Sequence, residues 1–282
     1  MLKFLQLTDL HVKGTASKEY VSLMRIVDHI LNHYSPATHP VILVTGDFVH
    51  HGKKTEYQNA NAQLSKLVNA GYRLLACPGN HDFGQGTPGN YNHYQNTSRE
   101  LYFTQVHNTL LSENLAPDVW AGGNTPFPQT YTLNSNGKNY LFIGLDTMHG
   151  VLPDPSPLAT GKVDDAQFNR LDALLSDGAY ANHVKIVYMH HHLFSDRLTM
   201  YLQGRDALQS LLDLRSVDLV CFGHLHRFGM WNNLGNIKLA VCGDKMTDTM
   251  EEMEKKHLAY HEFVIDAAGN CSLINVDFEV GD

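Results

Sequence analysis

Five short clusters of metal-ligand side chains punctuate this 282-residue chain: Asp9-x-His11, Gly46-Asp47, Gly79-Asn80-His81-Asp82, His190-His191-His192 and Gly223-His224-Leu225-His226. Brought together, two carboxylates, one amide and four imidazoles form a nitrogen and oxygen donor set. Such a set suits Fe, Mn, Zn, Co or Ni and offers no thiolate. It is too large for one tetrahedral ion and about right for two ions that share a carboxylate. Two metals roughly 3.5–4 Å apart clamp a phosphoryl group for in-line displacement. No cluster carries this reading alone. An Asp-x-His tripeptide arises by chance, and Gly-Asp more often marks a turn. Their order, each one after an apolar run, carries it.

Those runs supply the positioning elements. Residues 2–7 read as a strand that opens onto Asp9 and His11. Residues 18–33 carry Val21, Met24, Ile26, Val27, Ile30 and Leu31 at helical spacing, and Pro36 and Pro40 stop that helix. Residues 41–45 are the run of a strand buried on both faces, ending at Gly46-Asp47. A helix over 55–70 and a strand over 72–77 lead to Gly79-Asn80-His81. The first 80 residues therefore predict β-α-β-α-β, and ligands of open α/β sheets sit beyond the strands' C-terminal ends. The pattern recurs with strands at 140–145, 184–189 and 217–222 and helices at 164–176 and 206–214. Further strands are predicted at 228–232, 237–242, 259–265 and 271–278. Period-two alternation would put Asp9 and His11 on one side, and likewise His224 and His226. The stretch 83–130, rich in Gly, Asn, Tyr and Pro with one helix at about 97–112, reads as an insertion over the strand ends. The whole span 1–282 is expected to be a single domain.

The 21 Lys+Arg against 29 Asp+Glu give a net charge of −8, which argues against a nucleic-acid polymer as partner. It leaves room for a small-molecule phosphate ester, because bound metals turn the local field positive. The 43% hydrophobic content is that of an ordinary soluble globular protein. No apolar stretch reaches the length of a membrane span, so no membrane partner is expected. The four cysteines show no CxxC spacing, and the N-terminal apolar run is too short for a secretion signal. A reducing, cytoplasmic location is the expectation.

In this order the clusters resemble the calcineurin-like metallophosphoesterase superfamily, whose signature reads D-x-H, GD, GNH[DE], a His-bearing strand end and GHxH. The match spans residues 9–226. The resemblance implies a four-layer α/β fold, a central two-sheet β-sandwich flanked by helices. It implies that Asp9, His11 and His226 hold one metal, that Asn80, His190 and His224 hold the other, and that Asp47 bridges them. His81 would contact the phosphate and help protonate the leaving group, while a hydroxide shared by two Fe, Mn or Zn ions attacks phosphorus. Leu145-Asp146-Thr147, then Gly161-Lys162-Val163 with Gln167 and Leu171, is similar to the class III cyclic-nucleotide phosphodiesterase and glycerophosphodiesterase branch. That likeness implies a phosphodiester substrate and is compatible with a homo-oligomer. The branch usually has His-His-Pro where this chain has His190-His191-His192-Leu193, so His191 competes with His190 as the ligand.

Two other functions use the same residues differently: a phosphomonoesterase or nucleotide pyrophosphatase, and a non-catalytic scaffold. Scaffolds typically lose a ligand or the GNH histidine, and this chain keeps both. Asp82 reads either as an acceptor that orients His81 or as a helix cap. His50 and His51 read as second-layer groups or as exposed loop residues, and His149 as a group that could face substrate. His29, His33, His39, His183, His257 and His261 are expected at the surface. Tyr91, Tyr94, Tyr102 and Trp120 read as packing of the insertion rather than a substrate wall. Arg197 and Arg205 could reach a phosphate or form ordinary salt bridges.

Overall fold

The computed structural model describes residues 1–84, 96–111, 125–148, 159–197, 199–252 and 255–280. Strand β1 (Leu2–Leu7), helix α1 (Lys18–His33), β2 (Val41–Thr45), α2 (Lys54–Asn69) and β3 (Arg73–Cys77) form the expected β-α-β-α-β unit. The side chain of Ser17 caps α1 by accepting from the backbone N–H of Tyr20. Next come α3 (Asn96–Tyr102), continued by a π-turn over Phe103–His107, and the hairpin β4 (Gln129–Ser135) and β5 (Lys138–Gly144). Beyond it lie β6 (Gly161–Lys162), α4 (Asp165–Ser176), β7 (Val184–Tyr188), β8 (Leu202–Gln203), α5 (Arg205–Leu214) and β9 (Leu219–Phe222). The chain continues with β10 (Gly229–Leu234), β11 (Ile237–Cys242), β12 (Met250–Glu252), β13 (Lys255–Ile265) and β14 (Cys271–Val280).

Two six-stranded sheets result. One runs β12-β13-β1-β2-β3 with β14 also on β13, and the other runs β10-β11-β9-β7-β5-β4. In the first, β1, β2 and β3 are parallel. In the second, β5, β7, β9 and β11 are parallel. The fully buried strands Val41–Thr45 and Val184–Tyr188 sit in these parallel regions, as their apolar runs require. The sheets pack face to face: Phe4 of β1 meets Phe142 of β5 edge-on at 5.5 Å and stacks on Phe263 of β13 at 5.0 Å. Leu23, Ile26, Val27 and Ile30 of α1 and Leu64 and Leu67 of α2 cover the first sheet. Leu171 and Leu175 of α4 and Leu208 and Leu212 of α5 cover the second. This is the four-layer α/β sandwich. No helix among the described residues is long and apolar enough to cross a membrane.

Strand β4 was not expected. Its polar, half-exposed pattern carries little apolar signal. At the hairpin turn Asn136 and Gly137 both take positive φ (52° and 76°), as a two-residue type I′ turn demands. Half of the predicted insertion, at 85–95 and 112–124, lies outside the described residues, as do His149, Tyr91, Tyr94 and Trp120. Tyr102 is buried against Phe48 and Phe83, which is packing of the core. His39 and His261, expected at the surface, are buried instead: His39 binds Glu262 and His261 binds Gln6.

Candidate metal centre at the strand ends

The site residues lie in loops just past the strands. Beyond β1 and β2 the two chains stay hydrogen-bonded: Asp9 N–H donates to the carbonyl of Gly46, His11 N–H to that of Asp47 and Val12 N–H to that of Phe48. Asp9, His11, Asp47, His224 and His226 all take left-handed φ, between 47° and 81°. For residues with a Cβ this conformation costs on the order of 1–2 kcal/mol each. Strain of this kind persists only where surrounding bonds over-determine it. It also corrects the alternation argument. Asp9 and His11 share a site because a kinked loop turns them together, not because they alternate along a strand.

Close approach explains two glycines. A Cβ on Gly79 would overlap Asp47 Oδ1, and one on Gly223 would overlap Thr8 Oγ1 and Asp9 Oδ2. Only a residue without a side chain lets these loops meet.

The side chains form two groups. In the first, His11 Nε2 lies 2.7 Å from His226 Nε2, and Asp9 Oδ1 lies 3.4 Å from His226 Nε2 and 3.9 Å from His11 Nε2. In the second, Asn80 Oδ1 lies 3.1 Å from both His190 Nε2 and His224 Nδ1, which are 3.2 Å from each other. Asp47 Oδ2 stands between the groups, 3.5 Å from His11 Nε2 and 3.4 Å from His190 Nε2.

The separations in the second group and around Asp47 Oδ2 fit metal ligation, while His11–His226 at 2.7 Å and Asp9–His11 at 3.9 Å fall on either side of that spacing. Donors about 2.1 Å from one ion lie roughly 3.0–3.4 Å apart at cis-octahedral to tetrahedral angles. The tautomer of His190 fits as well. Its Nδ1–H donates to the carbonyl of Thr45 at 3.0 Å, so Nε2 presents a lone pair to Asn80 Oδ1, another lone-pair atom. Two acceptors face to face are favourable only with a cation between them. The ligand atoms of Asp9, His11, Asp47 and His226 all lie within 4.8 Å of one another.

The electrostatics agree. Burial pushes His11 and His224 well below the usual imidazole range, reinforced by neighbouring histidines. Their lone pairs are therefore available at neutral pH. Burial, then the charges of Asp9 and Asp82, push Asp47 well above the usual carboxylate range. Burial also works to raise Asp9, but His226 outweighs it and holds that carboxyl low.

The structure brings together all seven expected ligand positions and places His190, not His191, among them. His191 turns away and binds Thr147 Oγ1 at 2.7 Å. His81 stands beside the first group, its ring 4.6 Å from that of His11. Its Nδ1–H donates to the carbonyl of His50 at 2.8 Å. That bond corrects one role given to Asp82, which does not touch the His81 ring. Asp82 is not a helix cap either, since among the described residues 81–84 form a turn and no helix begins there. Its carboxylate accepts from the N–H groups of Val49 and Gly79 and ties two site loops together. Of the flanking histidines, His50 packs on His81 at 5.1 Å, whereas His51 pairs with Glu56 at 2.7 Å. Arg205 forms a salt bridge with Asp196 at 2.6 Å.

Sequence reasoning missed Thr8, whose hydroxyl donates to Asp9 Oδ2 at 2.7 Å, and the Thr45 carbonyl that fixes His190. Nothing marks a main-chain carbonyl in a sequence. It also missed Lys245, whose charge acts on His11 and His226.

The sequence model of calcineurin-like phosphoesterases matches residues 2–228. No curated protein matches the chain significantly in sequence. Among solved structures it is similar to TT1561 of Thermus thermophilus, with 14% identity, 97% of this chain and 98% of that one covered, and a TM-score of 0.54. It is also similar to the sulfate thiohydrolase SoxB of Thermus thermophilus, at 12% identity, 99% and 56% coverage and a TM-score of 0.59. A 5′-nucleotidase, so described, of Staphylococcus aureus follows at 16% identity, 100% and 54% coverage and a TM-score of 0.54. At these identities the likeness is one of fold.

Proposed function

This chain belongs to the calcineurin-like phosphoesterase family, and on that premise we propose that it hydrolyses a small phosphodiester with two metal ions held at the strand ends. The observation that carries the reading is Asp47 Oδ2, almost equally distant from His11 Nε2 and His190 Nε2, one in each group. Asp9, His11 and His226 hold one ion, Asn80, His190 and His224 the other, and Asp47 is shared. Two Fe, Mn or Zn ions so held supply Lewis acidity and water of lowered pKa.

The protein's own groups do the rest. The carbonyl of Thr45 fixes the His190 ring, and Thr8 fixes the Asp9 carboxylate. The N–H of His224 donates to Asp9 at 3.1 Å, locking the two loops that carry the first group. His81 Nδ1–H is committed to the His50 carbonyl, so Nε2 is the atom that meets the ester. Burial pushes the pKa of this imidazole down to about 4, so Nε2 must first take up a proton from solvent, with the anionic ester favouring the charged ring, before it can pass that proton to the leaving oxygen. The preference for a diester rests on the likeness of the stretch Gly161, Gln167 and Leu171 to the phosphodiesterase branch; the Gln167 amide there grips the Asp146 backbone on both sides, at 2.9 Å and 2.8 Å. The described layers read as one domain.

The test is hydrolysis of bis-p-nitrophenyl phosphate against p-nitrophenyl phosphate by Mn²⁺-loaded protein. Faster diester turnover is expected. Faster monoester turnover would make it a phosphomonoesterase, and hydrolysis of neither would end the enzyme reading.

A further inference from the structure

A cavity of about 190 Å³, lined by none of the seven ligand residues, lies beside the loops that carry the metal centre. Its walls are Phe228, the 244–250 loop, and facing residues of β13 and β14, among them His261 and Asn275. All of these sit at the catalytic edge of the sandwich. Phe228 is two residues past His226, the site histidine whose side chain is 41% exposed. Thr247 donates to the carbonyl of Leu10 at 2.9 Å, so the loop is bonded to the segment that carries Asp9 and His11.

The walls have a definite chemistry. Phe228 is 46% exposed, an aromatic face left open. Met246 and Met250 add polarisable apolar surface. His261 is buried, and its tautomer is fixed: Gln6 Nε2 donates to Thr45 Oγ1 and the Phe222 carbonyl, so Gln6 Oε1 accepts from His261 Nδ1–H. His261 Nε2 is therefore an acceptor. Asp244 adds an exposed carboxylate. The cavity thus joins one aromatic face to several acceptors. A plain hydrocarbon ring would leave those acceptors unpaired, and a polyol would not use the Phe228 face. A cationic headgroup would meet the ammonium of Lys245, which Asp248 holds on the same wall at 2.8 Å.

We propose that this cavity seats the organic group of the ester and is built for a heteroaromatic ring bearing N–H donors, the chemistry of an amino-substituted nucleobase. The proposal rests on the phosphoesterase reading for the word ester, but not for the ring.

The test separates the two. Adenosine, which has no phosphate, is titrated into the protein and its binding followed by NMR line shifts. Phe228→Ala should weaken binding about tenfold, the effect of one lost base–aromatic stack. Asp244→Ala, which removes the acceptor, should erase the preference for adenosine over purine riboside, which lacks the amino group. With Mn²⁺ present, Phe228→Ala should lower kcat/KM about tenfold on the p-nitrophenyl ester of adenosine 5′-phosphate, mainly through KM, and less than twofold on methyl p-nitrophenyl phosphate. No adenosine binding, binding indifferent to Phe228→Ala, or equal losses on both esters would overturn the proposal. Adenosine binding that depends on Phe228, in a protein that cleaves neither ester, would keep the ring site and overturn the activity.

Discussion

The backbone N–H of His81 donates to Asp47 Oδ1 at 2.9 Å. One carboxylate thus has two tasks. Oδ2 faces both ligand groups, while Oδ1 holds the loop that carries Asn80 and His81. Substitutions can separate these tasks. Asp47→Asn keeps an acceptor for His81 but removes the charge, and Asp47→Ala removes both. Both variants should retain fewer than two ions per chain after dialysis, measured by elemental mass spectrometry. Two tightly held ions in either would contradict a shared ligand.

Because that bond uses the His81 main chain, His81→Ala leaves it in place. The variant should keep both metals while turnover falls by about 10²–10⁴, the usual worth of a positioned general acid. Near-normal turnover would remove the imidazole from the chemistry. Loss of metal would instead make His81 part of the ligand scaffold.

The fold, and which side chains gather at the strand ends, were largely legible because both rest on local signals. The buried runs 41–45 and 184–188 are apolar but for Thr45 and Lys185, and the helix 18–33 has the right period. What escaped depends on contacts distant in sequence. Strand β4 is a half-polar edge strand, recognisable only by its Asn136-Gly137 turn. His39 and His261 look like any loop or strand histidine until Glu262 and Gln6 are placed beside them. The register of the triple histidine was open in sequence. It is decided by main-chain position, which gives His190 the Thr45 carbonyl and His191 the Thr147 hydroxyl. Asp9 and His11 lie together because left-handed φ turns them toward each other, and no sequence pattern marks that backbone.

Gly79 tests the packing of the loops without replacing a ligand. A methyl group there would collide with Asp47 Oδ1 and Asp47 N. Gly79→Ala should destabilise by about 1–3 kcal/mol, the cost of overpacking, and should impair metal retention. Gly14, in the same half of the chain, has nothing within 4 Å of an added Cβ. Gly14→Ala should change stability by less than about 0.5 kcal/mol. Urea midpoints for the two variants settle it, and equal effects would show that close approach at Gly79 is not what fixes the residue.

Near the opposite end of β1, a buried carboxylate predicts how stability varies with acid. Glu262 accepts from Lys3 Nζ at 3.0 Å, His39 Nε2 at 3.2 Å and Tyr34 OH at 3.4 Å. Burial works to raise its pKa, but His39 and Lys3 outweigh it and hold the carboxyl below the ordinary glutamate value. A group depressed in the folded state stabilises above its unfolded pKa, and that stability is lost as pH falls through the folded value. Glu262→Gln should therefore cost about 1.5 kcal/mol at pH 7, the scale of a charged hydrogen bond. The difference from the parent protein should start to shrink below about pH 4.5, where glutamate in an unfolded chain begins to protonate. Burial also holds His39 below the usual imidazole range, so it stays neutral at pH 7 and acts there as a hydrogen-bond donor rather than a charge. Midpoints of urea unfolding for both proteins between pH 7 and pH 4 give the comparison. A gap that stays constant across that range would mean that packing, not the carboxylate charge, accounts for the contribution of Glu262.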